Sequence, residues 1–144
     1  MSNEIVIASD HAGYDLKETI KKYLLKNNLQ VKDLGCASLE SVNYPDYAHR
    51  VAKEVLSNHS RGILICGSGI GMSITANRHQ GIRAALCSSV EVAKLSREHN
   101  DSNILVMGAR FVNTELAQAM VDTWLKTEFE GGRHQIRVQS IDLI

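Results

Sequence analysis

Apolar positions along the chain switch between two spacings, and each switch marks a change of element. Glu4 to Ser9 is a short, β-branched apolar run that reads as a buried strand. After a turn at Asp10-His-Ala-Gly13, Leu16, Ile20, Tyr23 and Leu24 recur at helical spacing. Lys17, Glu18, Lys21 and Lys22 are expected on the wet face of that helix, and Asn27-Asn28 ends it. Gln30 to Asp33 reads as a second strand. A polar loop from Gly35 to Asp46 contains Pro45 and leads to a second helix, with Ala48, Val51, Ala52, Val55 and Leu56 on one side. Arg61 to Cys66 is a third strand that runs straight into Gly67-Ser-Gly-Ile-Gly71 and a short helix. Arg83 to Cys87 and Asn103 to Met107 are two more strands, separated by a helix from Val90 to Glu98. Leu116, Met120, Val121, Trp124 and Leu125 mark the last long helix, and the glycines at 131 and 132 set off a short helical tail.

Strands that alternate with helices predict a parallel sheet with right-handed crossovers, covered on both faces. The expected fold is therefore α/β: a single Rossmann-like three-layer domain over residues 1–144, with a five-stranded parallel sheet and a C-terminal helical tail. A chain of 144 residues suits one domain. Sixteen basic side chains balance sixteen acidic ones without a run of like charge, which argues against a nucleic-acid or membrane partner. No apolar stretch approaches membrane-spanning length, and the opening Met1-Ser2-Asn3-Glu4 lacks the pattern of a secretory signal. Cys36, Cys66 and Cys87 are an odd number at wide spacing, so free thiols in a reducing cytoplasm are expected.

In open parallel sheets, ligands bind beyond the carboxyl ends of the strands, where the strand order reverses. Three clusters are expected there: Asp10-His11, Cys66 with its glycine loop, and His99-Asn100 just before the fifth strand. Gly67, Gly69 and Gly71 permit close approach of a ligand to the main chain, and the helix start that follows suits an anion. A plain strand-to-helix turn competes with that reading. A dinucleotide loop fits poorly, because it would follow the first strand and be answered by an acid where this chain has Ser88-Ser89. Cys66 ends a strand just before the helix start, a place where positive helix-end potential favours thiolate; cysteine is equally a small core residue, as Cys87 is expected to be. No second cysteine or histidine stands at zinc-ligand spacing from Cys66. His49, His59 and His79 are expected at the surface. Arg133 and Arg137, four apart, share a face if the tail is helical, and two guanidinium forks suit a phosphate dianion as readily as they suit open solvent.

Several motifs occur together: Ser9-Asp-His-Ala-Gly13, Asn43-Tyr-Pro-Asp46, Ile65-Cys-Gly-Ser-Gly-Ile-Gly-Met72, Gly81-Ile-Arg-Ala84, Ser96-Arg-Glu-His-Asn-Asp101, Met107-Gly-Ala-Arg110 and Glu130-Gly-Gly-Arg-His134. In order and spacing, from about residue 4 to 141, they resemble the type B ribose-5-phosphate isomerases, whose superfamily includes the galactose-6-phosphate isomerase subunits. The resemblance implies interconversion of ribose 5-phosphate and ribulose 5-phosphate without metal or cofactor. It implies that Cys66 is the base acting at C2 and C1, and that His99 assists opening of the furanose ring as proton donor. Asp10, His11 and Asn100 match substrate-binding positions. Gly67, Ser68, Gly69, Ile70 and Gly71 match the loop that cradles the enediolate, with Ser68 where some relatives have threonine. Arg110, Arg133 and Arg137 match the phosphate-binding set. The resemblance further implies a homodimer or homotetramer, in which His99 and Asn100 are lent across the subunit boundary.

Proton transfer between carbons beside a carbonyl needs a base, an oxyanion stabiliser and a way to open the cyclic sugar. Cys66, the loop with Ser68, and His99 correspond to those three needs. Two other classes compete. A cysteine-dependent phosphatase would place an arginine after its nucleophile, and the loop after Cys66 has none. A non-catalytic nucleotide-binding module would bind NAD or ATP and turn over no pentose phosphate.

Overall fold

The computed structural model describes residues 3–144. Met1 and Ser2, the start of the segment read as lacking a secretory signal, lie outside the described residues. Five strands form one parallel sheet: β1 (Glu4–Ser9), β2 (Gln30–Asp33), β3 (Arg61–Cys66), β4 (Ala84–Leu86) and β5 (Ile104–Gly108), in the order β2-β1-β3-β5-β4. Four α-helices join them, α1 (Tyr14–Lys26), α2 (Tyr44–Asn58), α3 (Ile70–Ala76) and α4 (Val90–Glu98), and two follow the last strand, α5 (Thr114–Lys126) and α6 (Arg133–Ser140). The expected α/β three-layer architecture and helical tail are therefore what the chain adopts. No helix among the described residues is long and apolar enough to cross a membrane.

Alternation along the central strands feeds two cores. Ile5, Ile7, Ile63, Ile65, Leu105 and Met107 pack on one face with Ile20 and Leu24 of α1 and Met120, Val121 and Trp124 of α5. Val6, Ala8, Leu64, Cys66 and Val106 pack on the other with Ala48, Val51 and Val55 of α2 and Met72 of α3. Side chains of successive strand residues point to opposite faces, so an unbroken apolar run serves a sheet covered on both sides. The Cys66 side chain thus belongs to the α2–α3 face.

The differences from expectation are local. Helix α2 begins at Tyr44, inside the segment expected to be loop, because proline at the first turn needs no N–H partner and already has a helical φ. Strand β4 is shortened to three residues: the Arg83 N–H turns to the Asn103 side chain at 2.8 Å. Lys17, expected in water, is buried at 1% exposure. Its Nζ lies 2.6 Å from Asp33 Oδ2 and 3.0 Å from Glu18 Oε2, because α1 lies across the end of β2. His49 and His79 are half-buried partners, with Nδ1 of His49 2.7 Å from Nε2 of His79; His59 is exposed, as expected.

The Lys17 cluster makes stability depend on acid. Burial by itself raises the Asp33 pKa, but hydrogen bonds from Lys17, the Gly35 N–H and Lys21 outweigh it and hold the carboxyl below its usual range. The unfolded chain therefore binds the proton more readily. The stabilisation is present above about pH 4 and is lost as pH falls through the lower folded value. Asp33→Asn is expected to cost about 2 kcal/mol at neutral pH and to flatten the loss of stability below about pH 4. Urea midpoints measured at several pH values test this; curves that stay parallel would refute it.

Candidate active site

The strand order reverses between β1 and β3, so the loops leaving these two neighbours diverge and open a crevice. A cleft of about 510 Å3 lies there, lined by Asp10, His11, Cys66, Gly67, Ser68, Ile70, Gly71 and Arg110, with Tyr44 and Ile74 closing one side. Eight of the thirteen expected site residues thus share one cleft.

Each is held by its own local structure. Asp10 follows β1 and caps the 3-10 turn His11–Gly13, its Oδ1 accepting the Gly13 N–H at 3.1 Å. That turn can form only because residue 13 is glycine: a Cβ there would stand 2.6 Å from the Ile65 carbonyl oxygen. His11 Nδ1 accepts the Val42 N–H at 3.2 Å, which leaves Nε2 as the proton-bearing nitrogen of the neutral ring. Cys66 is 5% exposed, and its sulfur accepts the Gly69 N–H at 3.1 Å. The Ile70 N–H is taken by Ser68 Oγ at 3.2 Å. Two N–H groups of the expected oxyanion cradle are therefore spent on shaping the loop.

Gly69 stands behind the cleft and not on its wall. Its φ of +82° and the 2.5 Å gap that a Cβ would leave to Leu86 require glycine. The β5 exit clamps the loop from below: the Ala109 N–H donates to the Cys66 carbonyl at 2.8 Å and the Arg110 N–H to the Gly67 carbonyl at 3.0 Å. These bonds bring the Arg110 side chain beside Gly67, a neighbourhood that sequence spacing does not reveal. Tyr44 walls the pocket, and Gly71 leaves room for its ring.

His99 and Asn100 are a correction. They were placed at a carboxyl end of the sheet, but they follow α4 and precede β5, so they lie at the amino edge. A helix that leaves the carboxyl edge returns the chain to the opposite one. The five residues of β5 span about 17 Å, so the two clusters do not meet within one subunit. His99 and Asn100 instead line a cavity of about 290 Å3 with His134 and Arg137. Arg133 begins the same helix, α6, and is exposed.

In that second cluster the His99 and His134 rings stack, with centroids 4.3 Å apart. Glu130 Oε1 lies 3.8 Å from His99 Nε2 and 3.6 Å from His134 Nε2. Burial, then the charges of His99 and Arg133, hold the His134 imidazole below its ordinary range. These three residues are the group that could hold a metal ion among the described residues, their ligand atoms lying within 4.8 Å of one another. Two neighbouring guanidiniums set a field there that suits an anion better than a dication. Elsewhere, Cys87 is core as expected: it is 1% exposed, and burial pushes its thiol up to about 11.

Comparison with known proteins agrees with this architecture. The Ribose/Galactose Isomerase family model matches residues 5–141. Ribose-5-phosphate isomerase B of Escherichia coli is 47% identical over 142 residues, covering 98% of this chain and 95% of that protein. A ribose 5-phosphate isomerase from Thermotoga maritima superposes with a TM-score of 0.97 at 52% identity, over the full length of both chains. Ribose-5-phosphate isomerase B from Mycoplasma genitalium, solved with bound ribulose-5-phosphate, gives a TM-score of 0.94 at 43% identity, covering 98% of this chain and 95% of that one. Matched over nearly its whole length in sequence and in structure, this chain belongs to the ribose/galactose isomerase family.

Proposed function

We propose that the chain interconverts ribose 5-phosphate and ribulose 5-phosphate through an enediolate, with the Cys66 thiolate as the base. The observation that carries this reading is the position of the sulfur: nearly buried, fixed by the Gly69 N–H, and on the wall of a cleft that also holds Asp10, His11, Ser68 and Arg110. In this reading the thiolate takes the proton from C2 and returns it to C1. The remaining loop N–H groups and Ser68 Oγ stabilise the oxygen on which negative charge develops. Asp10 and His11 hold the sugar hydroxyls, and binding energy from the phosphate keeps the open chain in place. Base, oxyanion donors and acid are all side chains or amides of this protein, so the chemistry requires no metal.

His99 serves in this reading as the proton donor that opens the furanose ring, and Asn100 as a hydrogen-bond partner of the sugar. Since both stand at the far edge of their own sheet, they act on the cleft of a second copy, in a homodimer or homotetramer. Arg133 and Arg137 come with them and meet the phosphate beside Arg110 of the first copy. The exposed apolar residues on and beyond α6, Ile136, Ile141 and Leu143, support burial of this tail against another subunit.

The proposal is tested by a panel of five- and six-carbon sugar phosphates assayed for ketose formation with and without a chelator. Turnover of ribose 5-phosphate insensitive to chelator is expected; release of inorganic phosphate, or no turnover of any pentose phosphate, would contradict it. Arg137→Ala is expected to raise KM about tenfold with a smaller change in kcat, as loss of a charge-assisted phosphate contact should. An unaltered KM removes Arg137 from the phosphate set. His99→Asn is expected to lose more activity on the cyclic aldose than on the open-chain ketose, with ring opening followed separately. Equal losses on both would remove the ring-opening role.

A further inference from the structure

The amino edge of the sheet carries another cavity, of about 370 Å3, between the end of α2 and the segments that enter β3, β4 and β5. Arg61, Arg83 and Arg97 all reach it, and Asp101 is the one carboxylate on its wall among the described residues. Three guanidiniums against one carboxylate leave two positive charges unmatched. Asp101 is itself already divided, with Oδ1 2.8 Å from Arg97 Nη1 and Oδ2 3.4 Å from Arg83 Nη2. Arg61 donates through Nη1 to the Leu125 carbonyl, and Arg97 through Nε and Nη1; Nη2 of both has no hydrogen-bond partner among the described residues.

Ser60 supplies the independent sign. It lines the same cavity at 4% exposure, and its Oγ has no hydrogen-bond partner among the described residues. Buried hydroxyls are almost always bonded, because leaving one unsatisfied costs free energy. Excess positive charge held at low exposure is costly for the same reason, and burial together with the charge of Arg97 holds the Arg61 guanidinium below its ordinary range. An oxyanion answers both deficits, since it accepts from a hydroxyl and from guanidinium forks at once.

We propose that this cavity is a second anion site, which binds a phosphate group through the free Nη2 groups of Arg61 and Arg97 and through Ser60 Oγ, once rotation about χ1 turns that covered hydroxyl from the packed wall into the cavity. It is separate from the Cys66 cleft and does not depend on the proposed catalytic reading. Its position gives it a route to the rest of the molecule: Arg97 and Asp101 bracket His99 and Asn100 in sequence, so an anion that competes with Asp101 for Arg97 bears on that segment.

The test is a titration of the full-length protein with inorganic phosphate, followed in amide proton–nitrogen correlation spectra. Saturable shifts of the Ser60, Gly81 and Asn103 amides are expected, weakened about tenfold in Ser60→Ala, a variant that removes only the unbonded hydroxyl. Shifts confined to Gly67 through Gly71 would overturn the second site while leaving the cleft reading intact. Non-saturating shifts, or a Ser60→Ala loss below about threefold, would overturn it as well. Absence of shifts anywhere would count against phosphate contacts at both places. The same titration with ribose 5-phosphate tells a free anion from an esterified one, by which saturates at the lower concentration.

Discussion

Cys66→Ala is expected to fold normally and to lose on the order of 10³ in kcat, the usual scale of a positioned acid–base group. The two halves of this expectation have different origins. The fold survives because the sulfur is a small part of the α2–α3 core and donates nothing to it: its one hydrogen bond is accepted from the Gly69 N–H. Truncation to alanine leaves a small void and costs about 1 kcal/mol. Activity fails because alanine has no atom that can hold a proton, and no other cysteine takes its place. Cys36 is buried beside Ser9, and Cys87, with its thiol pushed up to about 11, is core. Circular dichroism and a melting curve separate the two halves. A variant that turns over at near wild-type rate removes Cys66 from the chemistry.

Mixing Cys66→Ala with His99→Asn is expected to restore activity on cyclic ribose 5-phosphate. The Cys66 cleft and the His99 cavity lie at opposite edges of one sheet, so a site that uses both must draw them from different copies. A hybrid of Cys66→Ala with His99→Asn then contains one site with both residues intact and one with neither. Random exchange of subunits puts half the dimers in hybrid form, and the mixture should regain about one quarter of wild-type activity. If both residues served the same subunit's site, every site would carry one lesion and mixing would restore nothing. The experiment reads subunit architecture from rate alone, and co-expression with two different tags isolates the hybrid directly.

Most of the fold was legible because long apolar runs and helical repeats leave few alternatives in a chain that alternates them so regularly. The Ile-Val-Ile of β1 and the Ile-Leu-Ile of β3 have the length and branching of strands buried on both faces, and they sit where expected. Lys17 shows the limit of periodicity. Helical spacing says which residues share a face of α1, but it does not say that Asp33 will lie over part of the polar face and bury it. The His49–His79 pair was hidden for a similar reason, since thirty positions separate two rings that meet only once α2 and the turn after α3 are packed.

The candidate site divides along the same line. Asp10, His11 and the Cys66 loop follow β1 and β3 directly, so topology alone sends them to one edge. Arg110 reaches the same cleft through main-chain bonds from the β5 exit to Cys66 and Gly67, which no spacing rule encodes; family resemblance pointed to it. His99 lies at the edge opposite to the expected one, because nearness to a strand in sequence does not say which end of the strand is near. The chain enters β5 there instead of leaving it.

Isotope exchange at C2 reports on the base most directly. Ribose 5-phosphate carrying deuterium at C2 should lose it from C2 in the presence of the wild-type protein, as the thiolate takes that hydrogen and either delivers it to C1 or trades it with solvent. With Cys66→Ala the label should stay at C2 even when binding of the sugar phosphate is saturated. Loss of deuterium from the alanine variant at the wild-type rate would mean that another group removes the hydrogen.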